Sequence, residues 1–211
     1  NNLFYQMPFL KDFIINNSTK ILLWKIIPGE LDETQLSMDD KSLLKTRKGK
    51  KSKEYFLAVR KLIKNEDPEI IIKYDLNGKP YLNIQKGISI SHSNKLVAIC
   101  ISNEIDFGID VQYKTNKILN IQNKFLSYNE KKNLGYTNSL ESLIKLWSAK
   151  ESIYKALGKK GISFSNDLEI DIINDKDLFG AGYYKKDNIK IKFDLDFICI
   201  EEYIICYAKK S

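Results

Sequence analysis

The sequence predicts an α+β protein with two similar halves, each formed by a small antiparallel sheet and one long helix. Two observations support this fold class. Apolar residues recur with helical spacing over residues 53–64 and 140–160, and short β-like segments flank both stretches. The order of strand, helix and strands occurs on either side of residues 103–106. We therefore predict a first half over residues 1–104, a second half over residues 105–211, and a ligand cleft between them.

The first half begins with residues 1–19, which show no clear periodicity. Residues 20–27 are mostly apolar and precede a Pro-Gly pair, a pattern typical of a strand that ends in a turn. Ser37 can open a short helix, which Gly49 should interrupt. The helix over residues 53–64 has an apolar face made of Phe56, Val59, Leu62 and Ile63.

Arg60 is predicted to point away from that apolar face. A short strand over residues 70–74 and a Gly-Lys-Pro turn follow the helix. The half then ends in a hairpin, in which residues 87–92 alternate with period two and Ser93 begins the turn. Residues 96–102 are apolar enough to form its second, buried strand.

The second half should open with a strand over residues 105–112, because apolar side chains alternate there with small or polar ones. Ser127 and Glu130 have the spacing of a capping box and predict a short helix. Alternation along the first strand assigns its side chains to two faces: Phe107, Ile109 and Val111 on one, Gly108, Asp110 and Gln112 on the other.

The long helix over residues 140–160 is predicted to begin at an Asn138 cap and to end near Gly158. Its buried stripe comprises Leu146, Ala149, Ile153, Ala156 and Leu157. A different face carries Trp147, Glu151, Tyr154 and Lys155. Strands and turns are predicted for the remainder, with strands over residues 168–173, 189–193 and 197–208.

The composition fits a globular chain of 211 residues with 43% hydrophobic residues. The net charge of +7 favours an anionic partner: nucleic acid, a phosphorylated molecule or an acidic protein. Basic residues are not interleaved with aromatic ones, as they are in dedicated nucleic-acid surfaces. The three cysteines lie in apolar runs without zinc-ligand spacing, which predicts buried free thiols. We see no membrane span and no secretion signal, so we expect a soluble cytoplasmic protein.

Two short motifs carry side chains suited to phosphate chemistry. Ser91 and His92 lie at a strand end, where they could donate hydrogen bonds to a phosphate. Asp110 and Gln112 project from one strand face, and hard cations such as Mg2+ take oxygen ligands of this kind. Each of these motifs, taken alone, favours a structural role: a lone strand-end histidine is more often structural than catalytic, and a strand-end aspartate is commonly satisfied by a loop amide.

The long helix carries the third motif. Glu151 provides a carboxylate, and Lys150 and Lys155 provide two ammonium groups within two turns. This set could form a metal ligand with a phosphate clamp. By itself it could equally be the solvated face of an amphipathic helix, with one surface ion pair between Glu151 and Lys155.

Taken in order, the motifs resemble those of the Sfp-type 4'-phosphopantetheinyl transferases. That family carries Ser-x-Ser-His at a strand end, then Gly-Ile-Asp-x-Glu, then Trp-x-x-Lys-Glu-Ser/Ala-x-x-Lys on a long helix. Here these motifs are residues 89–92, 108–112 and 147–155. A Gly-Lys-Pro turn at residues 78–80 also matches, so the resemblance extends over residues 20–170.

The resemblance implies the pseudo-duplicated phosphopantetheinyl transferase fold with an active site between its halves. It also implies Mg2+-dependent transfer of 4'-phosphopantetheine from coenzyme A to a serine of an apo acyl or peptidyl carrier protein, with release of adenosine 3',5'-bisphosphate. Such enzymes serve fatty acid, polyketide or nonribosomal peptide biosynthesis. A chain with both halves is expected to be a monomer, and an acidic carrier protein fits the net charge of +7.

Residue by residue, the resemblance implies that Asp110 and Glu151 hold the metal ion. Lys155, supported by Lys150, would contact the phosphates or stabilise the leaving group. Glu151, or a water beside it, would accept the proton of the carrier serine. The nucleotide part of coenzyme A would contact Arg60, Lys79, Ser91 and His92, with Arg60 and His92 at the 3'-phosphate.

Gln112 is a departure from the family pattern, which usually has glutamate there. An amide oxygen adds no charge, so Gln112 should bind Mg2+ weakly or through water. Glu130 matches an acidic position near the metal, and residues 127–139 are a candidate carrier-docking surface by analogy. Two alternatives remain open: a catalytically impaired relative that binds coenzyme A or a carrier, and, from the pI near 9.1, a nucleic-acid-binding protein.

Overall fold

The computed structural model divides into two compact units, Asn1–Asn103 and Glu104–Ser211. Each unit combines an antiparallel sheet with helices, which confirms the predicted α+β class. None of the described helices is long and apolar enough to cross a membrane. The structure describes residues 10–34, 36–134, 139–171 and 175–211.

The first unit is built on a four-stranded antiparallel sheet beside a two-stranded ribbon. In chain order its strands are β1 (Leu10–Asn16), β2 (Thr19–Lys25), β3 (Ile72–Tyr74), β4 (Pro80–Leu82), β5 (Gly87–Ser93) and β6 (Leu96–Ser102). The sheet has the order β1-β2-β6-β5, and β3 pairs with β4. The predicted hairpin is confirmed, and Asn94 takes a positive φ of 53° in its turn.

Strand β1 lies within residues 1–19, for which no element was predicted. It pairs with β2 along its length and forms one edge of the sheet. Among residues 11–16 of this strand, Phe13 and Ile15 are half-buried and the others are exposed, so these residues form no buried apolar face. Backbone pairing to β2, which leaves no periodic signal in the sequence, therefore defines this strand.

Two helices complete the first unit, α1 (Met38–Thr46) and α2 (Lys50–Glu66). Ser37 caps α1 by accepting a hydrogen bond from the backbone N–H of Asp40 at 3.1 Å. Gly49 separates the helices with a φ of 80°, which confirms the predicted interruption. The predicted apolar face of α2 is buried against the sheet: Phe56, Val59, Leu62 and Ile63.

The second unit is built on a five-stranded antiparallel sheet. In chain order its strands are β7 (Phe107–Tyr113), β8 (Leu168–Ile170), β9 (Phe179–Lys186), β10 (Ile189–Ile200) and β11 (Tyr203–Lys210). They pair in the order β7-β11-β10-β9-β8, so β7 lies at one edge. The predicted strand over 168–173 is confirmed for β8, whereas residues 172–174 lie outside the described residues.

The predicted division of β10 is wrong. The sequence suggested separate strands over residues 189–193 and 197–208, but β10 continues to Ile200 and the turn follows it. The side chains of Phe193, Leu195 and Phe197 alternate into the core, so the aspartates between them occupy the opposite face of one strand.

The second unit also contains a short 3-10 segment (Asn116–Asn120) and three helices, α3 (Gln122–Phe125), α4 (Tyr128–Leu134) and α5 (Leu140–Leu157). The predicted capping box is confirmed. Ser127 N–H donates to the Glu130 carboxylate at 2.7 Å, and Glu130 N–H donates to the Ser127 hydroxyl at 3.2 Å. Helix α5 packs over β7 and β11 and forms the centre of this unit's core.

Burial of the three cysteines follows the prediction only in part. All three thiols are free, and Cys100 and Cys206 are buried, but Cys199 is exposed. Cys199 lies on β10, where the chain alternates between the core and solvent. Its apolar neighbours in the sequence therefore did not indicate its own burial.

Candidate active site

Helix α5 carries the acidic and basic side chains predicted for catalysis, and both of its ends are defined. Its N-cap is Ser139, whose hydroxyl accepts a hydrogen bond from Ser142 N–H at 3.0 Å. The predicted cap, Asn138, lies outside the described residues. Gly158 ends the helix in the left-handed conformation, as predicted, and its N–H donates to the Tyr154 carbonyl.

Gly108 brings α5 unusually close to strand β7. A Cβ at this position would lie 2.1 Å from the Ser152 carbonyl oxygen and 2.8 Å from the Ala156 nitrogen. Both atoms belong to the α5 backbone, so only glycine allows this separation. The close approach places the last turn of α5 beside the strand residues that follow Gly108.

Asp110 is the centre of the resulting cluster, and only 3% of its surface is exposed. Lys155 donates from Nζ to Asp110 Oδ1 at 2.9 Å and to the Ile109 carbonyl at 2.9 Å. Gln112 donates from Nε2 to Asp110 Oδ2 at 2.7 Å. Both carboxylate oxygens of Asp110 are therefore engaged by donors from β7 and α5.

Glu151 adds a second carboxylate, one turn of α5 before Lys155. Burial and the negative charge of Asp110 raise the pKa of Glu151 to about 7, and Lys155 opposes this increase. Two carboxylates therefore lie near one ammonium group, and the cluster carries excess negative charge at neutral pH.

The donor set of this cluster fits a hard divalent cation. Mg2+ is commonly held by one or two carboxylates, with phosphate oxygens and water in its remaining positions. The repulsion between Asp110 and Glu151 is the kind of charge excess that such a cation relieves. Across residues 10–34, 36–134, 139–171 and 175–211, no cluster of three or more His, Cys, Asp or Glu side chains could hold a metal by itself.

Gln112 has a different role from the predicted ligand. Its amide nitrogen faces Asp110 Oδ2, so the side chain acts as a hydrogen-bond donor to a carboxylate. An NH2 group has no lone pair available for a metal ion, and the bond instead fixes the orientation of Asp110. We therefore assign Gln112 to the support of Asp110.

The prediction that Lys150 supports the phosphate contact is wrong. Its side chain is fully buried, and Nζ binds the Glu130 carboxylate at 2.7 Å. Nζ also donates to three carbonyl oxygens within 2.9 Å, those of Phe125, Phe164 and Leu168. An ammonium group surrounded by these acceptors is not available to a ligand.

Glu130 completes the same buried network rather than a metal site. Its second carboxylate oxygen accepts a hydrogen bond from Ile170 N–H at 2.8 Å. Burial lowers the pKa of Lys150, and the Glu130 charge opposes that effect. The pair thus joins α4, α5 and β8 behind the face of α5 that carries Glu151.

Trp147 of α5 packs against two aromatic side chains. Its ring lies 5.1 Å from the Phe125 ring and 5.4 Å from the Phe164 ring. Phe164 also contacts Tyr154, which lies two turns further along the same face of α5. Trp147 therefore fixes α5 to α3 and to the segment that follows the helix.

His92 and Ser91, the predicted nucleotide contacts of β5, lie on opposite faces of the strand. The His92 side chain is exposed and stacks on Tyr55 of α2, with 3.9 Å between ring centroids and 12° between planes. Ser91 is 6% exposed and faces away from α2. The two side chains therefore do not converge on one phosphate.

Arg60 is buried, contrary to the expectation that it points away from the core. Arg60 Nε donates to Asp40 at 2.6 Å, and the guanidinium lies 4.3 Å from the centroid of the Phe56 ring. It lines a cavity of about 890 Å³ formed by α1, α2 and β3. Lys79, another predicted nucleotide contact, is exposed in the turn before β4.

Sequence reasoning missed two partners of these residues. Tyr55 stacks on His92, and Asp40 pairs with Arg60. Neither contact has a local sequence signal, because 37 residues separate the first pair and 20 the second. Pairings across such distances depend on the packing of α2 against the sheet and against α1.

Strand β7 and helix α5 of the second unit bring two carboxylates and one ammonium group together. Such a site is typical of proteins that act on phosphate-bearing substrates with a divalent cation. Residues 106–208 match the family model described as the 4'-phosphopantetheinyl transferase superfamily. The match confirms the family indicated by the sequence motifs. It contains the motifs of β7 and α5 but not that of β5.

One curated relative gives the same result. The chain is 32% identical over 100 residues to the 4'-phosphopantetheinyl transferase gsp of Aneurinibacillus migulanus. The aligned part is 46% of this chain and 41% of the relative. The chain therefore matches about two fifths of the length of that relative.

Proposed function

We propose that the chain transfers the 4'-phosphopantetheine group of coenzyme A to a serine hydroxyl of an apo acyl or peptidyl carrier protein, releasing adenosine 3',5'-bisphosphate. The observation that carries this proposal is the joint placement of Asp110, Glu151 and Lys155 by β7 and α5. These residues lie in the part of the chain that matches the transferase superfamily. Transfer from a pyrophosphate requires positioning and charge neutralisation, which this cluster supplies.

Asp110 and Glu151 are the groups that would hold Mg2+. When bound, the cation would neutralise charge that develops on the pyrophosphate leaving group. Gln112 keeps Asp110 in orientation through its hydrogen bond to Oδ2. Strand β7 and the middle of α5 are both regular elements, so the two carboxylates start from defined positions.

Lys155 would contact the phosphates of coenzyme A, since its side chain is partly exposed and its four methylenes allow it to reach beyond Asp110. Glu151 would accept the proton of the carrier serine directly or through a water molecule. In the metal-free protein, burial and the negative charge of Asp110 raise the pKa of Glu151 to about 7.

Residues of the first unit would bind the nucleotide part of coenzyme A. His92 is the best placed of the four predicted contacts, because its ring is exposed and held in orientation by Tyr55. Lys79 is exposed as well. Arg60 Nε is paired with Asp40, so the 3'-phosphate would be a second partner that binds the guanidinium beside Asp40. That the two halves share one active site stays a prediction.

The acceptor would be an acidic carrier protein, in agreement with the net charge of +7. The proposed docking surface includes α4, whose Lys131 and Lys132 side chains are exposed. The predicted surface also includes residues 135–138, which lie outside the described residues. We expect a monomer in the cytoplasm, where free thiols such as Cys199 persist.

A mass measurement tests the proposal. The protein is incubated with coenzyme A, Mg2+ and an apo carrier protein, and the intact carrier is weighed by mass spectrometry. We expect a gain of one phosphopantetheine group, lost with Asp110→Asn and retained with Lys159→Met, because Lys159 is exposed beyond α5. An unchanged carrier mass with the wild-type protein would contradict the proposal.

A second candidate is a relative that binds coenzyme A or a carrier without transferring the group. The donor role of Gln112 favours this candidate, because a charged ligand is missing beside Asp110. The same incubation separates the two. Retained coenzyme A binding without a mass gain supports the binding protein, whereas salt-sensitive binding to unrelated DNA without coenzyme A affinity supports the nucleic-acid alternative.

A further inference from the structure

The contact between Lys155 and Asp110 has a consequence for cation binding. Lys155 Nζ occupies one oxygen of Asp110, and the Gln112 amide occupies the other. A cation that uses Asp110 as a ligand therefore meets a carboxylate whose negative charge Lys155 already offsets. The Gln112 amide is neutral, so of these two donors Lys155 is the one that carries a full positive charge.

We propose that Lys155 is the internal counter-ion of Asp110 in the free protein and competes with a divalent cation for this carboxylate. A substrate phosphate that draws Lys155 away would then favour cation binding at Asp110. This inference rests on the proposed function, because the cation and the phosphate are those of that reaction. The side chain of Lys155 would then determine the order in which the substrate phosphate and the divalent cation bind.

The burial of the two partners supports this competition. The Asp110 side chain is 5% exposed and lies on a paired strand, whereas the Lys155 side chain is 27% exposed. Asp110 is therefore the fixed partner and Lys155 the movable one. Attraction at 2.9 Å is strong at such a site, because the surrounding medium screens it less than water does.

Glu151 supplies the reason why the pair does not exclude a cation altogether. Lys155 carries one positive charge and lies near two carboxylates, and burial together with the negative charge of Asp110 raises the pKa of Glu151. A doubly charged cation satisfies both carboxylates, which one ammonium group cannot do. Replacement of Lys155 by the cation is therefore favourable once the ammonium group finds another anion.

Mg2+ titration of the free protein by calorimetry, without coenzyme A, tests the competition. We expect the dissociation constant for Mg2+ to fall about tenfold in Lys155→Met, because the competing charge is removed from a buried carboxylate. Lys155→Gln keeps a donor for the Ile109 carbonyl and should show the same direction if Lys155→Met folds poorly. Lys155→Arg should remain close to the wild type.

Lys159→Met is the matched control, since it removes one lysine charge from an exposed position just beyond α5. Its Mg2+ affinity should stay within about twofold of the wild type, because exposed charges are screened. Unchanged or weaker Mg2+ binding in both neutral Lys155 variants would overturn the inference. So would equal tightening in Lys159→Met, which would indicate a general charge effect.

A repeat of the titration with saturating coenzyme A completes the test. Lys155 should then be engaged by phosphate, and the Mg2+ dissociation constants of wild type and Lys155→Gln should agree within about twofold. A persistent difference would overturn the substrate-linked part of the inference. The carrier mass assay is independent: failed transfer with tightened Mg2+ binding contradicts the proposed function alone.

Discussion

At the scale of single residues, strand alternation and helical spacing assign the predicted site residues to faces of β7 and α5 that the structure brings together. Asp110 shares a strand face with Gly108, and that face meets α5. Lys155 lies on the same side of α5 and reaches Asp110. Such spacing predicts which side chains share a face, but it does not predict that Lys155 and Asp110 form an ion pair.

Lys150 shows where residue-scale reasoning failed. It follows Leu146 by four positions and precedes Ile153 by three, so it lies on the buried stripe of α5. Lysine side chains are usually exposed, so Lys150 was predicted to reach a phosphate although its helical spacing placed it on the buried stripe. Its partner Glu130 lies 20 residues away, so no local pattern indicated a buried ion pair. Strand alternation would likewise have separated Ser91 from His92.

The raised pKa of Glu151 predicts a pH-dependent stability. The pKa of Glu151 is about 7 in the folded protein, against a usual value of 4.5. The contribution of this group to stability is therefore complete below the usual pKa of 4.5 and is lost as the pH rises through the folded-state pKa of about 7. Glu151→Gln should therefore increase the free energy of unfolding by about 2 kcal/mol at about pH 8 and change it little at about pH 5.

Urea unfolding without Mg2+ at both pH values measures this effect. Glu33→Gln is the control, since Glu33 is exposed and outside the cluster. Added Mg2+ should stabilise the wild type more than Glu151→Gln at the higher pH. Equal stability differences at the two pH values would contradict the raised pKa.

At the scale of elements, periodicity predicted the helices and hairpins well. The capping box of α4 and both strands of the β5–β6 hairpin were confirmed, because these features depend on neighbours within a few residues. Strand β1 was missed because its residues 11–16 form no buried apolar face, and β10 was divided because its aspartates resemble a turn. Cross-strand pairing decides both cases, and it is not a local property.

Gly108 controls the contact between two elements, β7 and α5. Gly108→Ala places a Cβ 2.1 Å from a backbone oxygen of α5, so strand and helix must separate. We expect a loss of about 3 kcal/mol or more in the free energy of unfolding, and weaker Mg2+ binding, because overpacking shifts backbone atoms.

Gly161→Ala is the comparison for this variant. Its added Cβ meets no atom within 4 Å, but its φ of 77° strains a non-glycine residue. It should cost only about 1 kcal/mol and leave Mg2+ binding unchanged. Calorimetric Mg2+ titration and chemical unfolding of both variants provide the measurements. Equal loss of Mg2+ affinity in the two would disprove a specific role for the close approach.

The Lys150–Glu130 pair joins several elements and should be sensitive to the loss of one partner. Lys150→Met leaves the Glu130 charge buried without its counter-ion, which should cost about 3–5 kcal/mol in the free energy of unfolding. The double variant Lys150→Met/Glu130→Gln removes both charges and should recover part of that loss. Additive losses in a double-mutant cycle would show that the two residues are not coupled.

At the scale of the whole molecule, the net charge of +7 is a property that the sequence establishes directly. Charge of one sign accelerates association with a partner of the opposite sign, and salt screens this attraction. The distribution of charge decides which surface benefits, and α4 presents exposed lysines in the region proposed for docking. Net charge alone therefore predicts the salt effect but not its location.

A charge-reversal experiment locates the effect. Lys131→Glu/Lys132→Glu should slow association with an acidic apo carrier about tenfold at low salt, with little change in dissociation, because rim charges act on encounter. Lys190→Glu/Lys192→Glu changes net charge equally from exposed positions on β10 and should slow association less. Stopped-flow or surface-based kinetics over a salt series measures both, and both differences should shrink as salt rises. Equal slowing by the two pairs would assign the attraction to net charge and remove α4 from the proposed docking surface.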